Sequence, residues 1–561
     1  MSSHTQAPPY SSFAETHEVI NQPTPLEDYN TYTSDTALQH WVTIFRGDWA
    51  TTRLMKYGHR TGHDLASAGF QANRFKPEFK THDRFGRRID QVDFHPAYHQ
   101  LMRTAIEAGH HSLPWADPQA GAHVARAAIC YLHTQADPGT GCPLTMTFSS
   151  VPALKHQPDI AAEWLPKITA NHYDERNVPY FEKQGVTIGM AMTEKQGGSD
   201  VRANTTRAHP IKKEGPGQAY EIVGHKWFCS APMCDGFMIL AKTDKGLSCF
   251  LLPRWRPDGT KNQMYVQRLK DKMGNISNAS SEVEYRGALA WMIGEEGRGV
   301  RTIIEMVSMT RFDCMVGSAA TMRQAVAQAL HHTKGRSVFG ANLHDQPLMK
   351  NVLADLVIES EAALAISMRI AHALDSKPED ENFTHDESFS RIATAIGKYW
   401  ICKRTPGVVV EAMESIGAVG LIEDNIVARL YRESPVNAIW EGSGNVQCLD
   451  VLRALTKDPA TGDAFFSELN LSRGRDTRLD NYLAALAEEF KNLSGFEYRA
   501  RTIVEKMALA WQASLLLEKG DPVVADAFIA SRLTGYGGLQ FGTLPADADL
   551  DSIIHRGLPK V

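Results

Sequence analysis

Several features that would narrow the function at once are missing. The chain has no large excess of one charge: 59 Lys and Arg face 65 Asp and Glu, a formal net charge of -6. Nothing global therefore pulls it toward nucleic acid or an anionic membrane. No apolar run approaches the ~20 residues of a membrane span. The eight cysteines lack paired spacing. Cys229 and Cys234 are the closest two, with no second pair to match them, so reduced thiols in a cytosolic protein are expected. The opening residues, MSSHTQAPPYSSF, show no basic stretch followed by an apolar core, and no secretory leader is expected. No internal repeat is found. What is present is an ordinary soluble composition, 43% hydrophobic and 22% charged, over 561 residues. By length that is about three to four domains' worth of chain.

The period of the apolar residues divides the chain. Residues 1–36, rich in Pro, Ser, Thr and Gln, read as an extended arm. Residues 37–180 read as a helical domain, because segments such as LMRTAIEAG and AGAHVARAAICYLHT space apolar residues by three and four. In QGVTIGMAMTE the period changes: Val186, Ile188, Met190 and Met192 alternate with their neighbours, which predicts a strand. YEIVGHKWF, GFMILAK, LSCFLLP and SSEVEYRG continue the pattern, so 181–290 reads as a compact all-β domain. Over 291–455 the 3.6 period returns in four long helices, which predicts a four-helix bundle. Pro406 is expected to kink the third of them, and DSKPEDENFTHDES before it to be an exposed acidic connection. Residues 456–561 read as a further helical extension. The fold class is α+β and multidomain.

Four short stretches carry the chemistry. IWEGSGNVQCLDVLRAL places a lone carboxylate, Glu441, on a small-residue turn at a helix entrance; it either caps the helix or faces a ligand. MTEKQGGSDVRANTTRA sets Thr193 and Ser199 around the Gly197-Gly198 turn, which is either a simple turn or a place where backbone and hydroxyls approach a ligand. GHKWFCSAP brings Phe228 close to Ser230. Such a pair is either core or a flat aromatic with a polar neighbour suited to an isoalloxazine ring. KGRSVFGANL places Arg336 three residues before Phe339: an exposed Arg at a helix end, or a pyrophosphate ligand with a ring beside it. His95 and His99, at i and i+4, lack a third ligand, so no metal site is assigned.

Taken in order, MTEKQGGSD, GHKWFCS, TRFDCMVGSA, GRSVFG, IGAVG and WEGSG resemble the acyl-CoA dehydrogenase family over about residues 60–455. THEVINQPTPLEDYN, THDRFGRRIDQVDFHPAYHQLM and the long C-terminal extension are similar to its alkylation-response, AidB-type branch. The resemblance implies a helical N-terminal domain, a middle β-barrel, a C-terminal four-helix bundle and an extra C-terminal helical domain. It implies FAD between barrel and bundle in a homotetramer. It also implies site residues. Met190 and Met192 supply backbone to the flavin, Thr193 and Ser199 meet it, and Phe228 and Ser230 stand where the family has a stacking Trp and a Thr. Arg336 and Phe339 serve the diphosphate and adenine side. Gly417 and Gly420 survive from the family's GGNG turn, and Ser443 is the hydroxyl of the EGS motif. Glu441 matches the catalytic base; the other family position for a base, before Arg311, holds Thr310, which cannot serve. Arg311 matches a residue near the CoA moiety, and Trp440 beside the base is expected to shorten the acyl pocket.

The implied reaction removes hydrogens from Cα and Cβ of an acyl thioester, with a carboxylate for the α-proton and the flavin as hydride acceptor. Two other readings stay open. The branch is associated with protection of DNA during alkylation stress through duplex binding by the C-terminal region. There, residues 450–561 hold 13 Lys and Arg against 16 Asp and Glu, with local basic groups at Arg473, Arg475 and Arg478 and at Arg499, Arg501 and Lys506. A carboxylate beside FAD would also suit a flavoenzyme that destroys alkylating or nitro compounds, or that oxidises another small carbon acid. Membrane association is not expected, and the cytoplasm is the expected compartment.

Overall fold

The computed structural model describes residues 16–491 and 495–560. Among these, helices come first, then a β-barrel, then a long run of helices. No described helix is long and apolar enough to cross a membrane.

The N-terminal part centres on α1 (Ala122–Ala136), all of whose residues are buried, and α2 (Pro138–Leu154), which begins at the Asp137 cap. This region also contains an antiparallel hairpin, Glu78–His82 with Arg88–Asp93, where helix alone was expected. The hairpin gives no period-2 apolar signal because its strands are largely exposed and charged. Its register comes from the turn instead. Asp83 Oδ1 accepts from the N–H groups of Phe85 and Arg87, and Gly86 takes φ 78.

The barrel strands are β1 (Ile188–Ala191), β2 (Arg207–Pro210), β3 (Ala219–Ser230), β4 (Gly236–Thr243), β5 (Gly246–Pro253), β6 (Met264–Leu269) and β7 (Ser280–Ile293). Pairing runs β4–β2–β3–β7–β5 and returns to β4 through the β4–β5 hairpin, closing the sheet. β1 joins parallel to β4, and β6 pairs with β7. Closure leaves few free edges. The strand expected from Val186 to Met192 is shorter than its pattern: only Ile188–Ala191 pair, and all four are buried. α2 packs against them, with Thr147 Oγ1 accepting from the Ile188 N–H at 3.0 Å.

The bundle consists of α3 (Gly299–Gly335), α4 (Pro347–Leu374), α5 (Phe383–Ile416), the short α6 (Ile426–Glu433) and α7 (Gly444–Lys457). α5 is assigned as one unbroken helix through Pro406. It starts inside the segment read as an exposed acidic connection. The cause is Asp386, which is buried and bonded by Arg369 and Ser376. Short connections make successive helices antiparallel, so α3 and α5 run the same way and their C-termini share one end of the bundle. Five more helices follow: α8 (Pro459–Asn470), α9 (Thr477–Glu489), α10 (Ala500–Lys519), α11 (Pro522–Arg532) and α12 (Leu550–Gly557). They share one continuous apolar core with the bundle and the N-terminal helices, while the barrel has its own. On α3, Arg323 donates to the carbonyls of Ser34 and Gly557 and pairs with Asp35.

Candidate active site

The opening of α7 answers what Glu441 does. The helix N-cap is Ser443, and it makes no side-chain cap bond; the Glu441 carboxylate instead reaches α3, where its Oε2 accepts from Thr310 Oγ1 at 2.6 Å. Glu441 has φ 57, a left-handed backbone that costs a non-glycine residue about 1–3 kcal/mol and survives only when its surroundings hold it. Three side chains hold it. Lys398 Nζ donates to the carbonyls of Trp440 and Gly442, at 2.7 and 2.5 Å. Arg311 Nε and Gln447 Nε2 donate to the Glu441 carbonyl, at 2.9 and 3.0 Å. Arg311 in turn pairs with Asp450, which Arg391 also binds. Arg311, expected near a CoA group, thus sits beneath the turn as a clamp. Trp440 is fixed as well, its Nε1 donating to Asn437 Oδ1 at 2.8 Å.

The carboxyl of Glu441 is half-buried. Burial raises its pKa above the ordinary glutamate value, although the Thr310 bond and the Lys398 and Arg311 charges work against that. A group so placed is a better proton acceptor than an exposed glutamate.

On the barrel, Thr193 and Ser199 lie on the loop that leaves β1. Glu194 anchors this loop. It is buried and ion-paired with Lys226 of β3 at 2.9 Å, and it accepts from the N–H groups of Thr205 and Thr206. Burial works to raise this carboxyl, but Lys226 and the bonds outweigh it and hold it well below the usual range. A Cβ on Gly198 would stand 2.4 Å from Thr193 Oγ1, so only glycine leaves that hydroxyl its place. Met190 is buried in β1, and Met192 follows it, half-buried. At the end of β3, Phe228 is 45% exposed, and Ser230 Oγ lies 3.3 Å from Ser280 Oγ. A part-exposed aromatic ring with Lys270 Nζ 4.6 Å from its centroid, hydroxyls at Thr193, Ser199 and Ser230, and a loop with no room for a Cβ at Gly198 form a donor set that fits a flavin ring and its polar edge.

Barrel and bundle share a neighbour. Burial pushes the Cys142 thiol on α2 up to about 11, opposed by the Lys272 charge and a Ser230 bond; the Glu441 charge pushes it higher. Cys142 thus senses Ser230 of the barrel and the Glu441 charge of the bundle at once.

The remaining residues lie elsewhere. Arg336 and Phe339 follow the C-terminus of α3, 26 positions beyond Thr310, or about 39 Å along a helix. Arg336 donates to the Asn21 carbonyl, and Phe339 is fully exposed with φ 52. Gly417 ends α5 at φ 80 and Gly420 packs on Met413, at that same end of the bundle. Of the two histidines, His95 caps a helix through the Ala97 N–H, and His99 bonds the Tyr173 hydroxyl.

Matches to known proteins agree with this geometry. Residues 21–175 match the model of the adaptive response protein AidB N-terminal domain, 189–288 that of the acyl-CoA dehydrogenase middle domain and 297–456 that of its C-terminal domain. The chain belongs to the acyl-CoA dehydrogenase family. A putative acyl-CoA dehydrogenase AidB from Escherichia coli is 41% identical over 94% of this chain and 96% of its own. Acyl-CoA dehydrogenase family member 11 of Caenorhabditis elegans is 29% identical over 72% of this chain and 66% of its own. Among solved structures, the apo form of Bd2924 superposes with a TM-score of 0.82 at 28% identity, over 90% of this chain and all of that one. The chain is thus an FAD-dependent, acyl-CoA dehydrogenase-like oxidoreductase of AidB type.

Linear reading missed the residues that hold the site. Lys398, Gln447 and Lys226 are polar groups on helices and a strand, and Lys272 lies in the loop after β6, none of them with a periodic signature. Thr310, at a family position for the base, carries no local signal of its bond to Glu441. The two acids that carry a local signal, Glu194 and Glu441, both stand in small-residue loops.

Proposed function

We propose that the site oxidises an acyl thioester between Cα and Cβ, with Glu441 as the base. The Cα–H bond breaks toward the Glu441 carboxylate, which gains the proton; the Cβ hydrogen leaves with its electron pair. FAD, when bound against Phe228 and Ser230 with Thr193 and Ser199 at its edge, supplies the acceptor for that pair. The single observation that carries this reading is Glu441 itself: a carboxylate held on a left-handed turn, its proton affinity raised, its charge felt by Cys142 next to Ser230. The Thr310 hydroxyl suits both protonation states. Its one proton goes to the carboxylate when Glu441 is charged; when Glu441 is protonated, it turns to the Val307 carbonyl 2.9 Å away and accepts from Glu441 instead. The bulky Trp440 beside the base favours a short or narrow acyl group.

The test is Glu441→Gln under anaerobic titration with acyl-CoA. The variant keeps its flavin spectrum but is not bleached. Full bleaching would overturn the assignment.

In the same reading the protein works as a cytoplasmic homotetramer. Arg336, Phe339, Gly417 and Gly420 are too far along the bundle to meet the flavin beside Glu441 of their own chain, so they serve the adenine side of a neighbour's FAD, with Ser443 near the flavin at home. Protection of DNA draws less support. In the C-terminal region Arg475 pairs with Glu518, Arg478 with Asp476 and Asp526, and Arg499 and Lys506 with Glu489. Arg501 donates to Asn445. Cations already neutralised within the fold are poor ligands for a phosphate backbone.

A further inference from the structure

Three parts of the molecule meet at the loop joining β6 to β7. The Asn275 N–H donates to both carboxylate oxygens of Glu433 on α6, at 2.7 and 2.8 Å. Ser277 Oγ donates to Asp137 at the start of α2. The loop is therefore pinned from the bundle and from the N-terminal helices at once. Pinning fixes Lys272, whose Nζ donates to the Asn278 carbonyl at 2.8 Å and to Ser280 Oγ at 2.9 Å. Ser280 Oγ stands 3.3 Å from Ser230 Oγ. Each hydroxyl has one proton. Because Ser280 accepts from Lys272, its own proton is free for Ser230. Ser230 then accepts from Ser280, and its own proton is free for Cys142 or for a group bound beside Phe228.

We propose that Lys272 is a positioning residue that, through Ser280, makes Ser230 a hydrogen-bond donor to the polar edge of bound flavin and so favours the electron-rich reduced state. The inference rests on the flavin placement proposed above. A cation three hydrogen bonds from a ring that gains electrons stabilises the reduced form more than the oxidised one.

The groups facing Lys272 are Cys142 from α2 and Glu433 from α6, with Asp137 and Arg429 behind Glu433. Burial brings the Lys272 ammonium down to about 8, with Cys142 and Glu433 opposing. Burial, reinforced by Asp137, brings Glu433 up to about 7. Lys272 and its neighbour Glu433 thus both titrate close to neutrality, and only one of them is removed by changing Lys272.

The measurement is the midpoint potential of the FAD-loaded protein by anaerobic spectroelectrochemistry from pH 6 to 9. Lys272→Gln is expected to lose tenfold or more of the preference for reduced flavin, about 30 mV for a two-electron couple. It should also lose the inflection near pH 8 while keeping any near pH 7. Lys272→Arg, which keeps the charge and controls for folding, stays within threefold of wild type. Ser280→Ala, with Lys272 intact, reproduces most of the loss. A Lys272→Gln potential within threefold of wild type would overturn the inference. So would an unchanged Ser280→Ala, which would leave Lys272 acting only through space. Failure of the underlying placement has a different signature: Ser230→Ala and Phe228→Ala would then leave flavin affinity and spectrum unchanged.

Discussion

At the scale of single residues, the candidate site turns on how one carboxyl holds its proton. Thr310→Val keeps the volume of the side chain and removes the hydrogen bond that favours charged Glu441. The carboxyl should then rise further above its ordinary 4.5. A base must be ionised to act, so flavin reduction climbs as pH rises through the raised pKa of Glu441. In Thr310→Val the climb moves to higher pH, by about one unit for each ~1.4 kcal/mol of lost bond. Pre-steady-state reduction across pH, in wild type and variant, checks this; superimposable profiles would remove Thr310 from the argument. Glu441 was legible in the sequence because an acid among Gly442, Ser443 and Gly444 has few structural uses. Its partners were not. Lys398 and Thr310 are buried polar side chains on long helices, and helical period reports which face is apolar without saying what a polar exception on it touches.

At the scale of elements, the loop after β1 depends on a pair that no single motif displays. Glu194, on the loop after β1, and Lys226, in β3, are both buried. Lys226→Met leaves the Glu194 carboxylate without its counter-charge and should cost about 3–5 kcal/mol. The same change loosens Thr193 and Ser199, so flavin affinity falls before the fold is lost. Denaturant unfolding and flavin binding on one preparation test both parts; a variant as stable as wild type would show the pair to be incidental. Long elements were the ones readable beforehand. The bundle helices carry many repeats of the 3.6 period, and β3 to β5 carry apolar runs bounded by Gly, Pro or Asp. The hairpin of Glu78–His82 and Arg88–Asp93 was not readable, because its pairing is enforced by a turn while its faces remain charged.

At the scale of the whole molecule, two consequences follow. The first concerns assembly. If residues at the far end of α3 serve a neighbour's FAD, Arg336→Glu and Phe339→Ala should weaken flavin binding tenfold or more while the isolated subunit keeps its helix content. Flavin affinity measured beside circular dichroism checks this, and unchanged affinity would confine the cofactor to one chain. The second concerns acid. His110, His111, His123 and His133 are buried, and burial holds their pKa values down, to about 4 for His111 and about 3 for His123. Their folded values lie below the unfolded 6.5, so their contribution is complete above pH 6.5 and is lost as pH falls toward 4. Each histidine removes up to about 1.4 kcal/mol per pH unit in that window. Asp375 and Glu433, pushed up by burial to about 7, act in the opposite direction, but the four histidines outnumber them. Thermal unfolding should therefore fall steeply between pH 6.5 and 4; a flat profile there would contradict it.

Arg323 carries a further meaning when the chain is thought of in time. Its guanidinium joins Ser34 and Asp35 to Gly557. During synthesis the first two partners exist before Arg323 does, while the last emerges more than two hundred residues later. At about 5–20 residues per second, α3 waits roughly ten to fifty seconds with a cation that belongs in the core and lacks its final acceptor. The set of acceptors around Arg323 is completed only once α12 has been made, and a nascent chain that stops short of α12 leaves this cation one carbonyl short in the core.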